Sequence, residues 1–323
     1  MLFDVAEPSL THMGATINPH PQAQTSPSGP VTRIAAGVDS YPEGTDAVVL
    51  GAALAEATGA ELMLVSVHPD LPIVLPQGLD WKSVRKQTQA MLNDARGKFA
   101  PNARTTVETG MSVPRALQRV VSRNHRNLLV VGSSRHGAHG KVRIANRTRQ
   151  LLYDLRCALA IAPRGFSEQP PPPFARIGVG YDGGPESEAA LALAGSIASS
   201  CGAELYLRGV IDDRIPALGW PEVWLGSIMA SWKANVLADT DSLRERASIA
   251  SRALGVKVHV DIQQGRPAKS LLALSADVDL LVVGSRRWGP VARLLLGSTG
   301  EALLHDAHCP TLIVPRPSEA TAG

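Results

Sequence analysis

An internal repeat constrains this chain more than any other feature of its sequence. The stretch TRIAAGVDSYPEG aligns without a gap on ARIGVGYDGGPES at an offset of 143, and NLLVVGSS aligns on DLLVVGSR at an offset of 152. We call residues 31–165 the first repeat and residues 174–316 the second repeat. A chain of 323 residues in which one unit occurs twice is predicted to fold as two similar domains.

Three segments lie outside the repeats. Residues 1–30 are rich in Pro, Ser, Thr, Gln and His, which predicts a disordered tail. Residues 166–173 contain the run PPPP and are predicted to be a semi-rigid linker, because proline lacks a backbone donor and prefers an extended conformation. Residues 317–323 form a second short tail.

Each repeat predicts an α/β domain. Short apolar runs such as IAAGV, LMLVSV, LLVV and LAIA alternate with helical segments, and the first helix of each repeat ends at Gly59 or Gly202. A later helix opens at Pro114 or Pro267. Strands that alternate with helices predict a parallel sheet with helices on both faces, and ligands of such sheets bind beyond the carboxyl ends of the strands.

Composition narrows the class of protein. Hydrophobic residues make up 44% of the chain, yet no run of 18 apolar residues occurs, which argues against a membrane span. No basic residue precedes Arg33, so we expect no signal peptide. Three widely spaced cysteines fit a reducing cytoplasm and offer no metal motif.

Positive charge is concentrated in the first repeat. Between Glu108 and Asp154 there are nine basic residues and no acidic ones, whereas the net charge of the chain is only +3. Arg115, Arg119, Arg123 and Arg126 recur at helical spacing, as on a solvated helix face or on a surface for an acidic partner. Aromatic residues are only 4% of the chain, so a nucleic-acid partner is not expected.

The stretch VVGSRRWGPVARLLLGST in the second repeat has the elements of a phosphate site. Gly284 lies where a buried strand ends, and Gly297 precedes a helix that Ser298 and Glu301 are predicted to open as a capping box. A glycine lets backbone approach an anion, and a helix N-terminus offers unpaired N–H groups. The alternative is an ordinary helix cap with two turn glycines.

With these motifs the chain resembles the universal stress protein family in its tandem form. The resemblance covers both repeats and includes the Asp-x-x-Pro-Glu turn and the final CPTLIVP strand. It implies two tandem Rossmann-like domains of the adenine nucleotide alpha hydrolase type, each with a five-stranded parallel sheet. It also implies that the two domains pair through their last strands. A further homodimer would also fit the family, but the sequence offers no direct evidence for it.

The family's signature is Gly-x-x-Gly, nine residues, then Gly-Ser or Gly-Thr. The second repeat matches it from Gly284 to Ser298, except that Arg287 replaces the middle glycine. The resemblance implies ATP, with or without magnesium, as ligand. The implied nucleotide-binding residues of the second repeat are Asp182, Val210, Val283, Gly284, Arg287, Gly297, Ser298 and Thr299.

The first repeat departs further from the signature. It keeps Asp39, Val67 and Gly132, which the resemblance implies as weaker nucleotide contacts, but Ala145-Asn146 stands in place of Gly-Ser. A methyl group at position 145 would crowd a phosphate, although Asn146 would still cap a helix. We therefore expect nucleotide mainly in the second repeat.

Arg135 and Arg287 occupy the same position in the two repeats, and three roles are open to them: pairing with phosphate, exposure to solvent, or filling the cleft. We interpret the three histidines as part of a polar loop rather than a metal site; they are His125, His136 and His139. We interpret the three tryptophans as covering the sheet edge or a domain interface rather than stacking on a ligand; they are Trp220, Trp224 and Trp232.

The resemblance implies a stress-response regulator that binds adenine nucleotide, and we expect that it is not an enzyme. The first alternative, which Arg287 favours, is an interaction scaffold that binds no nucleotide. The second is an enzyme, because Gly183-Gly184-Pro185-Glu186-Ser187 faintly resembles the Gly-Gly-x-x-Ser loop of ATP pyrophosphatases.

Overall fold

A computed structural model describes residues 29–68, 80–155, 157–169, 173–214, 222–285 and 297–315; at residues 146–147, 153–154 and 222–228 it describes the backbone alone. Arg287 and Trp220 lie outside the described residues, as do residues 1–28 of the first predicted tail and the whole of the second. Within the described part, no helix has both the length and the apolar character needed to cross a bilayer.

The described elements follow the predicted alternation of strand and helix. In the first repeat they are β1 (Arg33–Gly37), α1 (Pro42–Thr58), β2 (Glu61–His68), α2 (Trp81–Phe99), β3 (Arg104–Thr109), α3 (Val113–Arg123), β4 (Leu128–Gly132), α4 (Asn146–Asp154) and β5 (Ala158–Ala162). In the second they are β6 (Arg176–Tyr181), α5 (Pro185–Cys201), β7 (Glu204–Ile211), α6 (Glu222–Arg252), β8 (Val258–Gln264), α7 (Pro267–Asp277), β9 (Leu280–Gly284), α8 (Ser298–Asp306) and β10 (Thr311–Val314).

The strands form one ten-stranded sheet in the order β3-β2-β1-β4-β5-β10-β9-β6-β7-β8. Within each repeat the five strands are parallel, whereas β5 and β10 pair antiparallel at the centre. The predicted α/β class is confirmed, and the last strands join the repeats as the resemblance implied.

Two apolar layers cover the faces of this sheet. One contains buried side chains of α1 and α5, and the other contains those of α3, α4, α7 and α8. The central strands β4, β5, β9 and β10 are buried on both faces, which explains why they are continuous apolar runs. The helix ends agree with the sequence, since Gly59 and Gly202 are left-handed C-caps with φ of 70° and 74°.

The start of the proposed linker is folded onto the first repeat. Phe166–Glu168 form a short 3-10 helix. Asp46 of α1, only 1% exposed, accepts hydrogen bonds from the backbone N–H of Gly165 and Ser167, both at 2.8 Å, and from the Ser167 hydroxyl at 2.6 Å. This segment is therefore attached to α1 and is not a free spacer.

Candidate functional site

The predicted site residues of each repeat gather at the carboxyl edge of its strands. Asp182 directly follows β6, Val210 is the penultimate residue of β7, and Gly284 ends β9. Because β6 pairs in parallel with both β7 and β9, these three strand ends lie at one edge. Val283, the residue before Gly284, is buried.

The first repeat has the same arrangement. Asp39 lies just beyond β1, Val67 is the penultimate residue of β2, and Gly132 ends β4. These strands are parallel neighbours as well. Both repeats therefore place their predicted residues at the edge where α/β sheets bind ligands.

The two aspartates build the turns that open the first helices. Asp39 Oδ1 accepts a hydrogen bond from the N–H of Tyr41 at 3.0 Å, and Asp182 Oδ1 accepts one from the N–H of Gly184 at 2.9 Å. In each case the aspartate side chain mimics a backbone turn, and a proline then starts the helix. Each aspartate thus has a structural role apart from any ligand.

Gly132 and Gly284 are tightly packed against protein backbone. A Cβ on Gly284 would lie 2.5 Å from the carbonyl oxygen of Glu186, and one on Gly132 would overlap the carbonyl of Glu43. The first turn of α5 or α1 therefore rests directly on the end of the neighbouring strand. This packing requires a glycine whether or not a nucleotide binds.

A buried serine follows the strand-ending glycine in both repeats, and the sequence analysis did not single it out. Ser133 Oγ donates to the carbonyl of Ala162 at 2.7 Å and accepts from the N–H of Arg143 at 3.1 Å. Ser285 Oγ is also buried, yet it has no hydrogen-bond partner within the described residues. Because a buried hydroxyl without a partner is unfavourable, Ser285 marks a place where a polar group fits.

The helix α8, which follows this serine in the chain, begins one residue earlier than the capping-box prediction requires. Gly297 is the N-cap of α8 and makes no side-chain cap, while Ser298 and Thr299 are its first two helical residues. The predicted pairing of Ser298 with Glu301 is wrong, because the Glu301 carboxylate accepts a hydrogen bond from Arg149 Nη1 at 2.9 Å instead.

The corresponding helix of the first repeat starts in the same way. Ala145 is the N-cap of α4, so the prediction that Asn146 caps this helix is also wrong. The φ angles of Ala145 and Gly297 are −78° and −68°, which any residue adopts. Gly297 is therefore not required by backbone conformation, and what it provides is space at the helix N-terminus.

The loop of the first repeat that corresponds to the phosphate loop is closed by its own contacts. Arg135 lies over the ring of Tyr41, with its guanidinium carbon 5.2 Å from the ring centre. Arg143 Nη1 donates to the carbonyl of His136 at 3.0 Å, and the N–H of Ser134 donates to the carbonyl of Arg143 at 2.6 Å. In this repeat the arginine links the loops after β1 and β4.

This loop also contacts the second repeat. The N–H of Val142 donates to the carbonyl of Ala307 at 2.8 Å, and the N–H of Ile144 donates to the carbonyl of Leu304 at 3.0 Å. Both apolar side chains are buried. The loop therefore caps the C-terminus of α8, where helix carbonyls lack partners within the helix.

The loop Asp-Gly-Gly-Pro-Glu-Ser is also used internally. Gly183 adopts φ of +73° and lies against Arg246, whose guanidinium would collide with a Cβ at this position. Ser187 Oγ donates to the carbonyl of Gly184 at 2.9 Å. The loop therefore resembles Gly-Gly-x-x-Ser in sequence, but its serine hydroxyl is bonded within the loop and is not directed at a ligand.

The basic segment is only partly a solvated helix face. The helix α3 ends at Arg123, and Arg126 is buried, with Nη2 at 3.1 Å from the Glu61 carboxylate. Its assignment to the helix face is therefore wrong. Arg119 and Arg123 both lie within about 3.5 Å of Glu108.

One of the three histidines and one of the three tryptophans have side-chain contacts within the described residues. His139 Nε2 lies 3.0 Å from a Glu168 oxygen, and Trp232 Nε1 donates to the carbonyl of Asp213 at 3.3 Å. The side chain of Trp224 is not described. In the described ranges, no group of three or more His, Cys, Asp or Glu side chains is arranged to hold a metal.

The chain is similar to known proteins along nearly all of its length. The family model described as "Universal stress protein family" matches residues 30–163 and 173–315. A universal stress protein of Mycobacterium tuberculosis is 28% identical over 293 residues, which cover 87% of this chain and 95% of the relative. A crystal structure of a universal stress protein from Archaeoglobus fulgidus, 18% identical, aligns with a TM-score of 0.61 over 90% of this chain and 98% of that one.

Another Mycobacterium tuberculosis universal stress protein is 32% identical over 192 residues, which are 59% of this chain and 62% of the relative's length. The two matches of the family model coincide with the two sequence repeats and with the two halves of the ten-stranded sheet. The chain therefore belongs to the universal stress protein family, in a form with two tandem copies of the family's unit.

Proposed function

We propose that the second repeat binds ATP or a related adenine nucleotide, and that the chain is a nucleotide-dependent regulator in the cytoplasm and not a turnover enzyme. The choice of an adenine nucleotide rests on the family resemblance. The observation that carries the proposal is Ser285, a buried hydroxyl without a partner among the described residues, at the edge where α8 begins.

The residues present fit the phosphate end of such a ligand. The first N–H groups of a helix lack intrahelical partners and favour an anion, and Gly297 keeps the N-terminus of α8 free of a side chain. The Ser285 hydroxyl supplies a further donor. Asp182 and Val210 would flank the adenosine at the same edge, and Ser298, Thr299 and Arg287 would contribute near the phosphates. Bound magnesium would neutralise phosphate charge.

The first repeat is proposed to bind nucleotide weakly or not at all. Its buried serine, Ser133, is already satisfied, and its N-cap is Ala145. Its loop is held by Arg135 over Tyr41 and by the backbone bonds to α8. A ligand there would have to displace contacts that the second repeat does not show in its described part.

Calorimetric titration with ATP and magnesium tests the proposal. We expect saturation near one equivalent per chain, loss of binding in Gly297→Trp, and unchanged binding in the matched control Ala145→Trp. Both variants should keep the circular dichroism spectrum of the parent protein. Two equivalents in the parent protein would contradict the assignment to the second repeat, as would equal effects of the two tryptophans.

An interaction scaffold without nucleotide is the second candidate. It is favoured by Gly284 and Asp182, since packing on Glu186 and the turn to Gly184 account for both residues without a ligand. Absence of co-purified nucleotide in native mass spectrometry, together with no heat of ATP binding, would establish this candidate over the first.

A further inference from the structure

The two repeats meet around an approximate two-fold axis. Across the antiparallel pair, Leu312 of β10 lies opposite Ala160 of β5, and these two positions are equivalent at the repeat offset of 152. The flanking pairs, Thr311 with Ile161 and Ile313 with Leu159, exchange under the same offset. The axis therefore passes through the Ala160–Leu312 pair, where equivalent positions face each other.

Several contacts across this axis do not distinguish one repeat from the other. The bonds from the N–H groups of Val142 and Ile144 to carbonyls of the other repeat use backbone atoms alone. Lys141 Nζ lies 3.4 Å from an Asp306 oxygen. At the offset of 152, the sequence counterparts of Lys141 and Asp306 are Arg293 and Asp154, which carry the same charges. Such contacts would form equally well between two first repeats or between two second repeats.

Two pairs of equivalent positions do distinguish the repeats. Arg149 of α4 and Glu301 of α8 are related by the offset of 152, and Arg149 Nη1 lies 2.9 Å from Glu301 Oε1. Both side chains are half-buried, so the pair is less screened than a fully exposed one. The second pair is Ala160 and Leu312, which are completely buried on one face of the sheet.

We propose that these two pairs specify the association of a first repeat with a second repeat. Pairing of like repeats from two chains would place Arg149 against Arg149 or Glu301 against Glu301. It would also place alanine opposite alanine, leaving a gap, or leucine opposite leucine, crowding the core. The surface formed by β5 and α4 therefore fits the β10 and α8 surface of this chain and disfavours a second copy of itself.

Charge-reversal variants of the full chain reproduce the contacts that pairing of two like repeats would create. Arg149→Glu places two carboxylates together, as two second repeats would, and Glu301→Arg places two guanidinium groups together, as two first repeats would. We expect each to lower the midpoint of thermal unfolding by about 3 °C, and the double variant to recover most of the loss. The neutral variants Arg149→Gln and Glu301→Gln should lower it less, because they remove attraction without adding repulsion.

A matched control separates coupling from a general response to charge. Arg244 pairs with Asp241 on the exposed surface of α6, so Arg244→Glu combined with Glu301→Arg should give additive losses. Additive losses for positions 149 and 301 would overturn the charge part of the proposal. Reversals no worse than the neutral variants would overturn it as well.

Exchanging the two residues tests the match in size between Ala160 and Leu312. Ala160→Leu and Leu312→Ala should each lower the unfolding midpoint, and the double variant should lose clearly less than the sum of the two. If the losses add, the sizes at the axis are not matched to each other, and the size part of the proposal is wrong. A cycle with Leu92→Ala, which is buried in α2 where this helix packs on β2 and β3, serves as the additive control.

Discussion

At the scale of single residues, the glycines of the signature have two different reasons to be glycine. Gly132 and Gly284 have helix backbone directly against their Cα atoms, so packing accounts for them. Gly297 has an ordinary φ, and its counterpart Ala145 tolerates a Cβ in the same conformation. Of these three glycines, only Gly297 therefore bears on the proposed nucleotide, although the sequence pattern gives all three the same appearance.

Alanine substitution tests the packing explanation. Gly132→Ala and Gly284→Ala should each reduce the free energy of unfolding by about 1 to 3 kcal/mol, because a methyl group would overlap the first turn of α1 or α5. Denaturant titration measures this change. Gly97→Ala is the control: no atom lies within 4 Å of that Cβ, and alanine should stabilise α2 by about 0.5 to 1 kcal/mol.

A substantial difference between Gly132→Ala and Gly284→Ala would contradict the packing explanation. The first repeat is proposed to bind little nucleotide, so a glycine needed for nucleotide alone would be dispensable there. Equal losses of unfolding free energy in the two repeats would show that these glycines are required for the packing of α1 and α5 on the sheet.

At the scale of elements, the sequence predicted helix ends well where the signals were local. Gly59 and Gly202 end α1 and α5 as predicted, because left-handed geometry at a C-cap depends on neighbouring residues alone. The capping box at Ser298 failed because Glu301 has a distant partner, Arg149, 152 positions away in the chain. Local patterns cannot show such a partner.

The prediction that Arg126 lies on the face of α3 was wrong for a related reason. His125 has φ of 49°, and the N–H of Arg126 turns back to the carbonyl of Val121 at 2.9 Å. This turn carries Arg126 off the helix and into contact with Glu61. The helical spacing of the arginines gave no sign of the turn.

The contact between Arg126 and Glu61 predicts a pH dependence. The hydrogen bond from Arg126 lowers the pKa of Glu61 below its ordinary value of 4.5. A carboxyl group with a lowered folded-state pKa stabilises the fold above its unfolded pKa, and this contribution is lost as pH falls through the folded pKa. Glu61→Gln should therefore be less stable near neutral pH and lose less stability on acidification below about pH 4.5.

Urea denaturation between neutral and acid pH measures this effect. Glu56→Gln is the control, since it removes a carboxyl group of the same type from an exposed position on α1. Identical profiles for Glu61→Gln and the parent protein would show that this ion pair does not contribute to acid stability.

At the scale of the whole molecule, the architecture was predicted but not every contact at the junction. The repeat predicted two α/β domains, and the family resemblance implied that their last strands pair, as β5 and β10 do. The use of the first repeat's loop as a cap for α8 was not predictable, because its backbone bonds join residues more than 150 positions apart. Arg287 and the rest of the corresponding loop of the second repeat lie outside the described residues, so the role of Arg287 stays a prediction.

The junction also predicts how the chain unfolds. Val142 and Ile144 are buried in the same apolar layer as residues of α8, and β5 and β10 join the two sheets, so neither repeat can unfold without exposing apolar surface of the other. Differential scanning calorimetry should give one transition for the parent chain, with similar calorimetric and van't Hoff enthalpies.

The variant Ile144→Asp should broaden or split this transition, because a carboxylate would then lie in the apolar layer beside the C-terminus of α8, where the helix dipole disfavours negative charge. Met111→Asp, at a position that is 75% exposed, should keep one transition. Two resolved transitions in the parent chain would show that the repeats unfold independently, and an unchanged single transition in Ile144→Asp would place the coupling in the β5–β10 pair alone.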